Sequence, residues 1–576
     1  MKTILRSLCK LFLVVIFCLP ASLHAQPLAG NYTINSAIAT GGSNFQTFND
    51  FASSLNANGI SANVVASVTP GSGPYQESVI FHTVTGASSS ARVTIAGNAE
   101  VITAVTTSAD RHVIRLTDVS FFTIDNLHVI RDTASTGGFY GIHIFNTGSD
   151  ITISSCDIDI GDEISTLYGA IVASGSETSI LTTGDFHRLT LTANTTRGGG
   201  YGISVFGLVS NLASDILIEY NDIFDFHSNG VYLRETNGAI IRENRFDKTT
   251  AQVTSMNCIQ IAQNANINAN IYNNFIKISQ TANGSLTMRG IYLFNGTGHK
   301  VYNNVIHDIK LVSGNFVGIE VRTAASAPKI YFNTITFDNP STSSGELFGI
   351  QEESSNTNSE IRNNMINITQ QSTGLRAGIV LGSNSTLSTA VFSDNNNVYV
   401  PGGNFAVKAS STPILYPSLS DWNLASTQDA HSYSLDPMFT TGIDPIPTNT
   451  ALNSKGVAIA GYSVDVLGNL RDIYPDMGAY EFLGVGVKGI FSDKTLAVYP
   501  NPVKDHLTVK LPETLSSGMD VKLFSIDGKL IKEGSYTPDF GQNTYQMNTS
   551  ELNPGLYILH FIADEKVYQG RFVKGN

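Results

Sequence analysis

A short apolar strand pattern recurs at intervals near 29 residues through the middle of this chain, and a repeat of that length decides the fold class before any single residue does. HVIRL at 112 returns as YGIHI (140), YGAIV (168), YGISV (201), NGVYL (229), NCIQI (257), RGIYL (289), VGIEV (317), FGIQE (348) and AGIVL (377). Taking the second residue as marker gives Val113, Gly141, Gly169, Gly202, Gly230, Cys258, Gly290, Gly318, Gly349 and Gly378, with intervals of 28, 28, 33, 28, 28, 32, 28, 31 and 29. A unit this short cannot bury its own apolar face, so consecutive units must stack into a solenoid. A second apolar pattern follows in most units, as in IEYNDI (218), IRENRF (241), IYNNFI (271), VYNNVI (301), IYFNTI (330) and IRNNMI (361). Two or three short strands per unit, separated by Asn, Gly, Ser and Thr turns, describe the coil of a parallel β-helix.

Period-2 alternation turns residues one and three after each marker inward, as in Ile142/Ile144, Val231/Leu233, Ile291/Leu293 and Ile319/Val321, and residues two and four after it outward. In the second pattern Asn221, Asn244, Asn274, Asn304, Asn333 and Asn364 share one column, about 4.8 Å apart along the axis. An amide both donates and accepts, so the column is read as a structural ladder whose members tolerate left-handed turns. Cys156 falls in that column and Cys258 in the glycine column, roughly 19 Å apart along the axis, too far for a disulfide. Both are read as buried free thiols.

Residues 1–25 read as a secretory signal: Lys2, Arg6 and Lys10 precede the apolar run Leu11 to Leu19, and Ala21 to Ala25 form the cleavage region. That run is too short to span a bilayer, and no later stretch is read as a membrane segment. The chain carries 34 basic and 47 acidic residues, a net charge of −13, and loss of three basic residues with the signal leaves 31 − 47 = −16. This sign excludes nucleic acid as a favoured partner. Cys9 and Cys18 leave with the signal, so the remaining pair cannot form a disulfide framework.

On these motifs, residues 113 to about 400 resemble the right-handed parallel β-helix proteins, a superfamily rich in polysaccharide lyases, hydrolases and esterases and in non-catalytic surface proteins. The resemblance and crossover chirality imply the hand of the coil. The fold is specific and the chemistry is not.

A solenoid must cover its two apolar ends. Residues 26–112 supply an N-terminal cap and opening coils: Phe45, Phe48, Ala52 and Leu55 lie on one face of an amphipathic helix expected over 44–56, with Ser43 as its N-cap. Residues 401–482 lose the period and are read as the C-terminal cap, in which Arg471, Asp476 and Glu481 are assigned to structural salt bridges. A linker is placed at 483–490. From 491 to 576 lysine returns with strand-like alternation in LTVKL (507), VKLFSIDGKLI (521), LYILHF (556) and YQGRFV (568), giving a small antiparallel β-sandwich. VYPNP (498–502), LFSIDGKLI (523–531), LNPGLYIL (552–559) and the closing RFVKGN resemble the C-terminal sorting domain of the type IX secretion system. The resemblance implies export through the periplasm to the outer surface or medium, with the type IX machinery as partner of 491–576.

The expected fold is therefore all-β: a right-handed parallel β-helix followed by a small antiparallel sandwich. Its outward columns hold Arg115, His143, Ile171, Ser204, Tyr232, Gln260, Tyr292, Glu320, Gln351 and Val380, and beside them Thr117, Phe145, Ala173, Phe206, Arg234, Ala262, Phe294, Arg322, Glu353 and Gly382. Mixed rings and charges suit sugar stacking and uronate pairing, so Tyr232, Arg234, Tyr292, Phe294 and Arg322 are the expected ligand-binding residues. Glu320 and Glu353, one coil and two strand residues apart, should sit roughly 8 Å from each other, within the span of about 6.5 to 9.5 Å of inverting glycosidase carboxylates. They are the catalytic candidates, although an Arg322–Glu353 ion pair explains two of these side chains more simply. Strict alternation points Glu352 inward, and a local bulge is expected to turn it out. The acidic run Asp157, Asp159, Asp162 and Glu163 is read as a solvated loop, with Ca²⁺ as the alternative; no other metal or cofactor is expected. No HExxH, P-loop, GxSxG or CxxC pattern is present, nor the acidic constellations of polygalacturonases and pectate lyases. The leading expectation is a carbohydrate-binding or adhesive surface module; the alternative is a polysaccharide lyase or glycoside hydrolase working in a groove on the β-helix face. The sequence names neither the ligand nor the oligomeric state.

Overall fold

The computed structural model describes residues 26–250, 255–262, 266–322, 327–353, 358–383, 391–440, 444–482, 490–491, 496–511, 519–526, 529–536, 544–563 and 566–575. The expected signal (1–25) and nearly all of the expected linker lie outside them. The chain divides into two compact units, Met1–Ala458 with Ile473–Tyr480 and Ile459–Asp472 with Glu481–Asn576.

The first unit is a parallel β-solenoid of about 12 turns. Each full coil carries three strands. In the first sheet Ile142, Ile171, Ile203, Val231, Ile259, Ile291, Ile319, Ile350 and Ile379 pair coil to coil, and all are fully buried. Most of the marker column is glycine, and at Gly318 a side chain would not fit as the coils stand: a Cβ there would lie 2.7 Å from the Gly349 carbonyl and 2.8 Å from Ile335 Cγ2. One coil departs from the expected register. Tyr168–Ser174 pairs so that Ala170, not Gly169, occupies this column, which turns Ile171 and Ala173 inward and Val172 and Ser174 outward.

The second and third sheets flank the asparagine ladder. Nδ2 of each asparagine donates to Oδ1 of the next through Asn194, Asn221, Asn244, Asn274, Asn304, Asn333, Asn364 and Asn396, at 2.9–3.1 Å. The backbone N–H of each member donates to that same oxygen. Cys156 begins the column by donating its N–H to Asn194. The left-handed turn sits one residue earlier than expected, at Glu243, Asn273, Asn303, Phe332 and Asn363, with φ of 53–56°. Cys156 and Cys258 are free and buried, and burial pushes both thiols up, Cys156 to about 12.

Both ends of the solenoid are covered. Helix α1 (Phe48–Asn58) packs Phe48, Phe51, Ala52 and Leu55 against the opening coils, with Phe51 and Phe81 ring centroids 6.0 Å apart. Its N-cap is Thr47 rather than Ser43, because Asn44–Phe45 pairs as a strand with Thr33–Ile34. At the far end Ile414–Tyr416 pairs antiparallel with Asn404–Lys408, and helix α2 (Leu419–Ser426) buries Trp422, whose Nε1–H donates to Asp429 at 2.8 Å.

In the second unit a five-stranded and a three-stranded sheet share a core that includes Leu507, Val509, Leu523, Leu559, Phe561 and Phe572. Pairing is antiparallel except that Ile490–Phe491 runs parallel to the last strand. Arg471 and Glu481 form a buried ion pair at 2.6 Å. Among the described residues, no helix is long and apolar enough to cross a membrane.

Candidate functional site

Outward residues of the first sheet lie close together because consecutive coils stack at about 4.8 Å. Each expected site residue takes its place here in register: Ser204, Tyr232, Gln260, Tyr292, Glu320, Gln351 and Val380 form one column. Phe206, Arg234 and Ala262 belong to the next column, which Phe294, Arg322 and Glu353 continue just beyond the strand ends. The first column is less open than alternation alone implies. His143, Ser204, Tyr292 and Glu320 are buried, the last two under the arginine side chains beside them.

Arg289 is the side chain that sequence reasoning missed. It stands immediately before the glycine marker, pairs with Glu320, and lies over the Tyr292 ring with its carbon 4.4 Å from the centroid. Burial holds Glu320, 1% exposed, above the usual carboxylate range, while Arg289 opposes that shift. One coil on, Arg322 Nε and Glu353 pair at 2.5 Å, and the guanidinium reaches Tyr292 Oη at 3.4 Å. Tyr232 stacks on Tyr201 at 5.7 Å and meets Phe206 edge-on, with Arg234 over Phe206 at 6.0 Å. Asn229, Asn257 and Gln260 join by hydrogen bonds of 3.0 Å at the edge of the same strip. A shallow depression of about 350 Å³ bounded by Gln351, Glu353 and Ser410 ends it.

The strip thus joins the candidates in pairs. Glu320 is held by Arg289 and Glu353 by Arg322, so each carboxylate has a guanidinium partner; Glu320 is buried, while Glu353 also borders the depression at the end of the strip. Glu352 takes the inward position opposite Val321 and Leu381 and is fully buried; the expected bulge is absent, since the pairing is continuous. The acidic run near 157 is drawn into local contacts. Glu163 pairs with Arg131 at 2.9 Å and Asp157 lies 3.7 Å from His128. Among the described residues no three His, Cys, Asp or Glu side chains are placed to hold a metal.

Another concavity lies on the third sheet, where Lys277, His307 and Asp444 are shared by adjoining hollows of about 590 and 330 Å³. No repeat pattern marks it, since Phe439, Thr440, Asp444 and Pro445 also line it, far along the chain from the strands that form its floor.

Comparison with known proteins identifies the C-terminal segment. Residues 497–575 match the family described as "Secretion system C-terminal sorting domain". No curated protein matches the chain. Among solved structures the chain is similar to the GH136 lacto-N-biosidase of Eubacterium ramulus (10% identity, TM-score 0.35), covering 54% of this chain and 64% of that one. It is also similar to PfbA, a surface adhesin of Streptococcus pneumoniae (11% identity, 64% and 90% covered, TM-score 0.29). A third likeness is to the tailspike gp49 of the Acinetobacter baumannii bacteriophage Fri1, a capsular polysaccharide depolymerase (10% identity, 95% and 78% covered, TM-score 0.24). The chain is a parallel β-solenoid that carries a type IX secretion sorting domain, and it is exported to the cell surface or secreted.

Proposed function

We propose that the exported solenoid is a glycan-binding module that presents the first-sheet strip, with Tyr232, Arg234, Phe294 and Arg322 as ligand contacts and the buried Tyr292 as the support beneath Arg289 and Arg322. One observation carries this reading: both candidate carboxylates are locked to arginines, Glu320 to Arg289 and Glu353 to Arg322. Such pairs fix side chains for recognition, whereas general acid–base work needs a carboxyl free to move its proton. Partly exposed guanidiniums beside ring faces suit the carboxylate and the apolar face of a uronic-acid sugar.

The test is affinity electrophoresis of the mature protein through gels containing acidic or neutral polysaccharides. Retardation in acidic gels that weakens about tenfold in Arg322→Ala and Tyr232→Ala supports the reading. No retardation in any gel, or retardation indifferent to both variants, overturns it. A second reading, a polysaccharide lyase or glycoside hydrolase, draws on the raised pKa of Glu320, which suits a general acid. New reducing ends or unsaturated products that vanish in Glu320→Gln would favour it.

A further inference from the structure

We infer that the trough on the third sheet is a second ligand site, built for a neutral, hydroxyl-rich glycan chain and distinct from the first-sheet strip. Its floor is lined by Phe224, Asp247, Lys277, His307 and Thr336 from five successive coils, the first three paired in one column and His307 following at a register shift between its strand and that of Lys277. Four coil steps make it about 19 Å long, enough for several consecutive sugar rings. Phe439 and Asp444 line it together with Asp308, Lys310 and Asp338.

The chemistry of the lining selects the ligand. An extended peptide would add to a sheet edge, but the floor strands here are paired on both sides and offer no edge. Five aspartates (222, 247, 308, 338, 444) face three basic side chains (Arg245, Lys277, Lys310), so the trough repels a polyanion such as nucleic acid or polyuronate. A chain of neutral sugars meets both requirements, with hydroxyls for the charged groups and C–H faces for Phe224, Phe275 and Phe439.

The polar groups keep part of their capacity. His307 Nε2 stands 4.0 Å from Asp444 Oδ1 and Lys277 Nζ 3.3 Å from Asp247, which also accepts the Ser279 N–H, while Lys310 Nζ donates to the Ser279 carbonyl at 2.9 Å and lies 3.6 Å from Asp308; an ammonium with three N–H donors and a carboxylate with two oxygens have room for further bonds. Burial pushes the His307 pKa down, which keeps a neutral ring able to donate at one nitrogen and accept at the other. Burial and the neighbouring Asp308 hold Asp338 above the usual carboxylate range, and hydroxyl donors from a ligand would relieve that crowding.

The experiment measures binding of the mature full-length protein to neutral hexasaccharides (gluco-, xylo- and manno-configured) and to hexagalacturonate. The variants are Phe439→Ala and His307→Ala in the trough and Arg322→Ala in the strip. The expected result is a loss of about tenfold in neutral-glycan affinity in each trough variant, with Arg322→Ala unchanged. Hydroxyl-radical footprinting of the unaltered protein should show Phe439 protected by the same glycan, which guards against variants that misfold. Neutral binding indifferent to the trough variants, or absent, overturns the trough site. The strip reading is judged on hexagalacturonate and Arg322→Ala, so the two can fail separately.

Discussion

At the scale of single residues, the ladder and the buried imidazoles carry the sharpest expectations. Asn304 Oδ1 accepts from both the backbone N–H and Nδ2 of Asn274, at 3.1 and 2.9 Å, in a fully buried column. Asn304→Ala strands the Asn274 N–H, while Nδ2 keeps the Ile241 and Tyr272 carbonyls, and should cost about 2 kcal/mol, seen as a lower denaturant midpoint; an unchanged midpoint would mean that water enters and replaces the amide. His299 accepts the Ala269 N–H at Nδ1 and donates Nε2–H to Asn295, so the folded state requires the neutral ring. Burial accordingly pushes its pKa down to about 4, from an unfolded value near 6.5. The unfolded chain takes up this proton first, so the stabilisation is complete above pH 6.5 and is lost as pH falls toward 4. His299→Asn keeps an acceptor for Ala269 and removes the titration. Its stability should fall less steeply with acid, by about 1.4 kcal/mol per pH unit in that window; parallel curves would show that His299 titrates as in the unfolded chain.

At the scale of elements, coils stack with their neighbours only, so stability is local and the caps matter most to the coils that they touch. Trp422 is buried on α2 and holds Asp429, which also bonds Asn396 at the end of the ladder. Trp422→Ala should cost about 3–5 kcal/mol and speed hydrogen exchange in Val391–Asp394 and Asn404–Lys408, while Asn229–Arg234 stays protected. Uniform acceleration would mean that the solenoid opens as one body. The coils were legible because the glycine and asparagine columns repeat in the sequence itself. Ala170 escaped since two small residues adjoin there and only packing chooses between them. The shift of the N-cap from Ser43 to Thr47 followed from a strand pairing with residues eleven positions earlier, which no local signal shows. The site was half legible: register gave the right columns, but the burial of Glu320 depends on Arg289 in a column not singled out. The trough depends on Phe439 and Asp444, which lie far along the chain from its floor strands.

At the scale of the whole molecule, two units of different construction share one chain. The solenoid core runs from Leu28 to Trp422, and the tail has its own core from Leu496 to Phe572, with no residue common to both. Separate cores mean that the passenger does not need the tail in order to fold. Deleting residues 491–576 should therefore leave a solenoid with the unfolding transition of the full protein, while its location changes from the cell surface or medium to the periplasm. Both halves of that result are needed. A truncated protein that disappears from every fraction has lost stability, and the tail would then be part of the fold. A truncated protein that still reaches the surface would place the export signal in the solenoid. Transfer of residues 491–576 onto an unrelated periplasmic protein closes the argument from the other side: export of the fusion is expected, because the sorting information lies in the matched segment 497–575 and its core is complete without the coils.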